Sequence, residues 1–149
     1  MRNYKFTGAT KVVNGVTLKQ IECKKYGVGG WIESESNLKH KDDCWVFDDA
    51  MVYGNAVVSG NVMVSGNAEV FCNAKVYGNA EVRGNAKVYD NAQIYNLTRV
   101  YGNAEVYGNA NVHHFAMVYG NAKVYGDADV CGKAKVYGKE IVKDGVIGL

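Results

Sequence analysis

From Val46 onward an aliphatic residue returns at every sixth position, through Val52, Val58 and Val64 to Val136 and Val142, with Ile94 as the single non-valine. Four places after each comes a small residue. It is Ala in most hexads, with Val62, Thr98, Glu140 and Val146 as exceptions. Read around these two positions, the phrase V-Y-G-N-A-x is a short alternating strand, A-x-V-Y, with Ala and Val on one side and x and Tyr on the other. Gly-Asn is then a corner, because Gly, and to a lesser degree Asn, accepts the positive φ that a sharp corner needs. The phase reads as unbroken to the C-terminus. Strands this short cannot close a core as hairpins, whereas a coil stacked on itself buries Ala and Val against the next coil. The pattern predicts a parallel β-helix.

The repeated V-Y-G-N-A-x phrase resembles that of the hexapeptide-repeat proteins, whose pattern is an aliphatic residue, two variable places and a small residue. The resemblance implies a left-handed triangular prism with three hexads per coil, against the usual right-handed crossover. Five to six coils at strand spacing would make a rod of roughly 27 Å. The expected fold is therefore all-β: a left-handed parallel β-helix over residues 46–149, behind a small N-terminal β-hairpin cap over residues 1–45. The hairpin signal is Asn14-Gly15, flanked by β-prone Val12-Val13 and Val16-Thr17-Leu18, since Asn-Gly suits a type I′ turn. The Gly-rich stretch Tyr26 to Trp31 lacks the lysine-serine pair and following helix of a phosphate loop. It reads as a tight loop that brings Trp31 and Ile32 over the open end of the coil. The leader GGWIESESNL, running into Cys44-Trp45-Val46, is similar to that of YGNA-repeat proteins of phages and prophages.

Composition excludes several partners. A net charge of +2 from interspersed residues (17 Lys and Arg against 15 Asp and Glu) creates no field to recruit nucleic acid or a membrane surface. No apolar run reaches membrane-spanning length, and no signal peptide is evident. A cytoplasmic protein is expected, in the host cytoplasm if phage-encoded. Cys23, Cys44, Cys72 and Cys131 show no CxxC spacing and no eighteen-residue pair, so they read as free thiols. No cofactor and no metal site are expected.

Stacking every eighteenth residue produces columns. Tyr53, Phe71, Tyr89, Tyr107 and Tyr125 form an aromatic stripe, adequate as stacking and equally a candidate interface. Relatives of the fold are commonly trimers, so a homo-oligomer with a trimer favoured is expected. Met51, Glu69, Lys87, Glu105 and Lys123 alternate in charge beside it, a stabilising ladder. Asn corners stack in two amide ladders. The third corner breaks the pattern, with Asn96-Leu97 and, eighteen residues on, His114-Phe115 in place of Gly-Asn. The candidate site is Tyr95, Asn96, Leu97, His113, His114, Phe115 and Cys131. Without an orienting carboxylate in sequence reach, the histidines weigh little for catalysis, and the bland alternative is that Leu97 and Phe115 pack together or on a neighbouring subunit.

Three functions stay open. The preferred one is a non-enzymatic, phage-type binding protein. Such a protein would present an aromatic face or clefts between subunits to a host protein or small ligand, with counter-defence as one role. The alternative is a hexapeptide-repeat acyltransferase, with His113 or His114 as general base. Against it, no hexad carries the inserted loop that such enzymes use. The third is a structural rod, restrained from end-to-end growth by an inward Glu140 in its last coil.

Overall fold

The computed structural model describes residues 3–39 and 42–148; the outermost residues of the two expected segments, 1, 2 and 149, lie outside them. The chain is a parallel β-solenoid whose coils wind round three sheets, as the hexads predict. Each hexad contributes a strand of two or three residues, such as Glu81–Val82, Lys87–Val88 and Gln93–Ile94. Up to Val142, each pairs in parallel with the strand eighteen residues away, as in Lys87 with Glu69 and Glu105. The inward residues from Val46 to Val130 are fully buried, and each such Val contributes about 1.5–3 kcal/mol of hydrophobic stabilisation. Backbone pairing runs through the corners as well: Asn85 N donates to Gly102 O at 2.7 Å, Lys87 N to Ala104 O at 3.0 Å and Tyr89 N to Val106 O at 3.0 Å.

Glycine at the corners answers two demands. Gly102 has φ 69°, and a Cβ there would lie 2.9 Å from the amide nitrogen of Gly120 in the next coil. Where Asp replaces it, the side chain repairs the corner. Asp48 and Asp90 have φ 56°, and their carboxylates accept from the amides of Gly66 and Gly108, at 3.0 and 3.1 Å.

The side-chain ladders form as the spacing predicts. Asn67, Asn85, Asn103 and Asn121 chain their amides at 3.1–3.3 Å, and Asn55, Asn73, Asn91 and Asn109 at 3.2–3.3 Å. Lys87 meets Glu69 at 3.7 Å and Lys123 meets Glu105 at 3.5 Å. The rings of Tyr53, Phe71, Tyr89, Tyr107 and Tyr125 stack with centroids 4.9–5.2 Å apart. This column has counterparts on the other two faces. One is Tyr77, Tyr95 and His113. The other is Arg83 over Tyr101, followed by Tyr119 and Tyr137.

The N-terminal segment is an antiparallel meander of β1 (Lys5–Val13), β2 (Val16–Cys23) and β3 (Gly27–Ile32). Asn14 and Gly15 make the predicted turn at φ 51° and 79°. The meander extends one face of the prism, because β3 pairs in parallel with Met51–Val52. Trp31 and Ile32 thus enter the first coil ahead of the repeated phrase. Gly29 and Gly30 allow this approach: a Cβ on Gly29 would lie 2.6 Å from the Val46 carbonyl oxygen, and one on Gly30 2.5 Å from that of Ala50. The glycines are packing residues. Trp45 closes the end of the core, between Tyr26 at 5.8 Å and Tyr4 at 6.2 Å. The buried Asn37 replaces a corner with four hydrogen bonds: it accepts from the amides of Glu33 and Ser34 and donates to the carbonyls of Gly54 and Ala56.

Two features of the last coil differ from expectation. Val130 pairs with Ile147 rather than with the eighteenth residue on, so this coil is one residue short and the phase is broken. The Asp144-Gly145 turn, at φ 64° and 80°, absorbs the deletion. Glu140, read as inward, is exposed, because no described coil covers that end. No helix among the described residues is long and apolar enough to cross a membrane.

Candidate functional site

At the third corner, Asn96 and His114 occupy the glycine position at φ 62° and 63°. Asn tolerates the left-handed region better than His does, and a non-glycine residue held there costs of order 1–3 kcal/mol. The Asn96 Oδ1 accepts from the His114 amide at 3.1 Å, the same repair that Asp48 and Asp90 make. Leu97 and Phe115 fill the positions where the third amide ladder should continue from Asn61 and Asn79, which are joined at 3.0 Å. Their backbone pairing is intact: Leu97 N donates to His114 O and Phe115 N to Gly132 O. The two residues are 51% and 53% exposed. Both therefore project outward from a corner where their own amides are paired to the next coil.

His113 stands beside this apolar pair in the outward column of its face. Its ring stacks on Tyr95 at 4.9 Å and 3°. Its Nε2 lies 2.6 Å from Asp129 Oδ1, and its Nδ1 lies 2.6 Å from His114 Nδ1. The expectation that no carboxylate reaches the histidines is thus overturned. Asp129 sits sixteen residues on, on the diagonal that also joins the Tyr53 hydroxyl to Glu69 and the Tyr77 hydroxyl to Gln93. That diagonal is the signal that could have found it. With Asp129 ionised, His113 donates from Nε2 and accepts at Nδ1 from His114. The lone pair of His114 Nε2 then faces outward from an exposed residue. The arrangement can present a base at His114 or hold a cation.

Cys131 follows His113 in the column and is 5% exposed. Its thiol donates to the carbonyls of Ile147 and Gly148 at 3.5 Å. The structure therefore gathers Tyr95, His113 and Cys131 on the face and Asn96, Leu97, His114 and Phe115 on the corner, and adds Asp129. Burial, and then the neighbouring Tyr77, push the Tyr95 phenol above its usual value, so it acts as a neutral ring.

The stripe read as an interface stands apart, on another face. Tyr53 is buried at 6%, while Phe71, Tyr89, Tyr107 and Tyr125 are half-buried. Burial, then the charge of Glu105, pushes the Tyr89 phenol up to about 12.

Residues 46–60 match a family model described as the YdcK beta solenoid repeat. No curated protein matches the chain. With three sheets of stacked hexads, the chain is a β-solenoid repeat protein.

Proposed function

We propose that this solenoid is a non-enzymatic binding scaffold, and that the third corner is its recognition edge. The observation that carries this reading is the exposed pair Leu97 and Phe115. The same corner position holds Asn61, Asn79 and Lys133 in other coils, and burying such an apolar pair on association yields about 25 cal/mol per Å². The similarity of the leader and the phrase to YGNA-repeat proteins of phages and prophages favours a host protein as the partner, met in the host cytoplasm. The half-buried ring stripe supports self-association of the scaffold, with a trimer favoured because three-sided rods leave three equivalent clefts when packed about an axis.

The test uses Leu97→Asn/Phe115→Asn, which restores the ladder residue at both positions. Native mass spectrometry and pull-down from the host should show the wild type oligomeric and retaining one defined partner. The double variant should stay oligomeric and lose that partner. Retention of the same partner by the variant refutes the edge. A wild type that is monomeric at all concentrations refutes self-association.

A second reading has its own observation, the chain from Asp129 through His113 to His114 Nε2. It supplies what an acyltransferase general base needs: an oriented, exposed imidazole. Under this reading, acyl transfer from coenzyme A thioesters is expected and His114→Ala abolishes it. Absence of transfer to amine and hydroxyl acceptors excludes it.

A further inference from the structure

The geometry points to a binding site for a borderline-soft divalent cation of the Zn²⁺ class, formed by His113, Asp129 and Cys131. One ligand atom from each lies within 4.8 Å of the others. An imidazole nitrogen, a carboxylate oxygen and a thiolate are the donor set such ions take, at about 2.0–2.3 Å. Tetrahedral ligation at those lengths places donor atoms about 3.3–3.6 Å apart. The 2.6 Å contact between His113 and Asp129 therefore opens by less than about 1 Å, and the Cys131 sulfur swings in by a similar amount. Both movements are side-chain rotations on adjacent strands that the coil holds in place.

Charge supplies the independent argument. On the other two faces, the carboxylates at the same strand position are balanced by a cation one coil away: Glu69 by Lys87, Glu105 by Lys123 and Glu81 by Arg99. Asp129 has Asn111 on one side and Val146 on the other. Among the described residues its charged-group contact is His113 alone. Its next outward neighbour on the strand is the thiol of Cys131, a second potential anion. Asp129 and Cys131 thus set two potential anions side by side, and among the described residues no lysine or arginine pairs with Asp129.

Loading fits the surrounding contacts. When His113 Nε2 ligates, the neutral imidazole carries its proton on Nδ1, from which it donates to His114 Nδ1. His114 thereby orients the ligand and is a positioning residue. The Cys131 proton leaves to solvent as the thiolate binds, so one proton is released per ion. Three protein ligands leave the fourth tetrahedral position to water or to an incoming group, the open form of such sites.

Cobalt titration of the full-length chain tests the site. Co²⁺ should bind one per chain at micromolar concentrations, with the intense visible bands of tetrahedral cobalt and a thiolate-to-cobalt charge-transfer band, and Zn²⁺ should displace it. Cys131→Ser should remove the charge-transfer band, Asp129→Asn should weaken binding, and Cys72→Ser should change neither. If Cys131→Ser fails to fold, the wild-type titration together with Asp129→Asn decides. A wild type with no stoichiometric Co²⁺ binding overturns the proposal, as does a charge-transfer band that survives in Cys131→Ser or disappears in Cys72→Ser.

Discussion

The corner at Gly102 and the corner at His114 have the same backbone turn and opposite side-chain logic. At Gly102 the chain bears no side chain, its neighbour Asn103 bonds to Asn121 at 3.2 Å, and the coil is interchangeable with those above and below. At His114 the same positive φ is forced on a ring-bearing residue, beside an exposed Phe115. A periodic solenoid is tolerant of sequence on its outward positions and intolerant at its corners. Departing from the pattern at the corner, where the cost is greatest, therefore marks that place more strongly than any variation along the faces.

The largest test of this contrast is Gly102→Val, which puts a β-branched residue at φ 69° against the next coil. It should destabilise by about 3 kcal/mol or more, measured as a fall in the urea midpoint. Next is His114→Gly, which relieves the strained position and should stabilise by about 1 kcal/mol. No gain in melting temperature would mean that the bond to His113 outweighs the strain. Along a regular face, Lys87→Glu aligns three glutamates in one column and should cost about 1 kcal/mol or less, recovering in high salt. A salt-independent loss would show that packing, not charge, governs the column. Smallest for stability is alkylation. Cys72 is exposed at φ 58°, whereas burial, the largest cause, pushes the Cys44 thiol up to about 11. A raised thiol pKa leaves little thiolate at pH 8, so mass spectrometry after iodoacetamide should find Cys72 modified and Cys44 intact. Equal labelling would indicate that the capped end opens.

What could be read from the chain was what its period carries. Val88 between Val70 and Val106, the amide ladder of Asn85 and Asn103 and the alternation of Glu69 and Lys87 all follow from a shift of eighteen, and the Asn14-Gly15 hairpin is purely local. The remainder required the coil itself. Asp129 meets His113 along a diagonal that exists only once strands are stacked. The ring columns of Tyr77 with Tyr95 and of Tyr101 with Tyr119 follow the same shift of eighteen on the other two faces. Trp31 joins the first coil without the repeated phrase, through the close approach at Gly29 and Gly30. The one-residue deletion near Asp144 was hidden because Val146 and Ile147 are both apolar, and either could be placed in phase.

The alternating charges of Glu69, Lys87, Glu105 and Lys123 carry a consequence for heredity. Removing one coil by an in-frame deletion that takes out Lys87 would keep every valine and every corner in register, yet would bring Glu69 against Glu105. Removing two coils would restore attraction. Between Glu69 and Lys123, a gene for such a rod can lengthen or shorten without loss of this face only in even steps, so within this run the pair of coils, not the single coil, is the unit of inherited change.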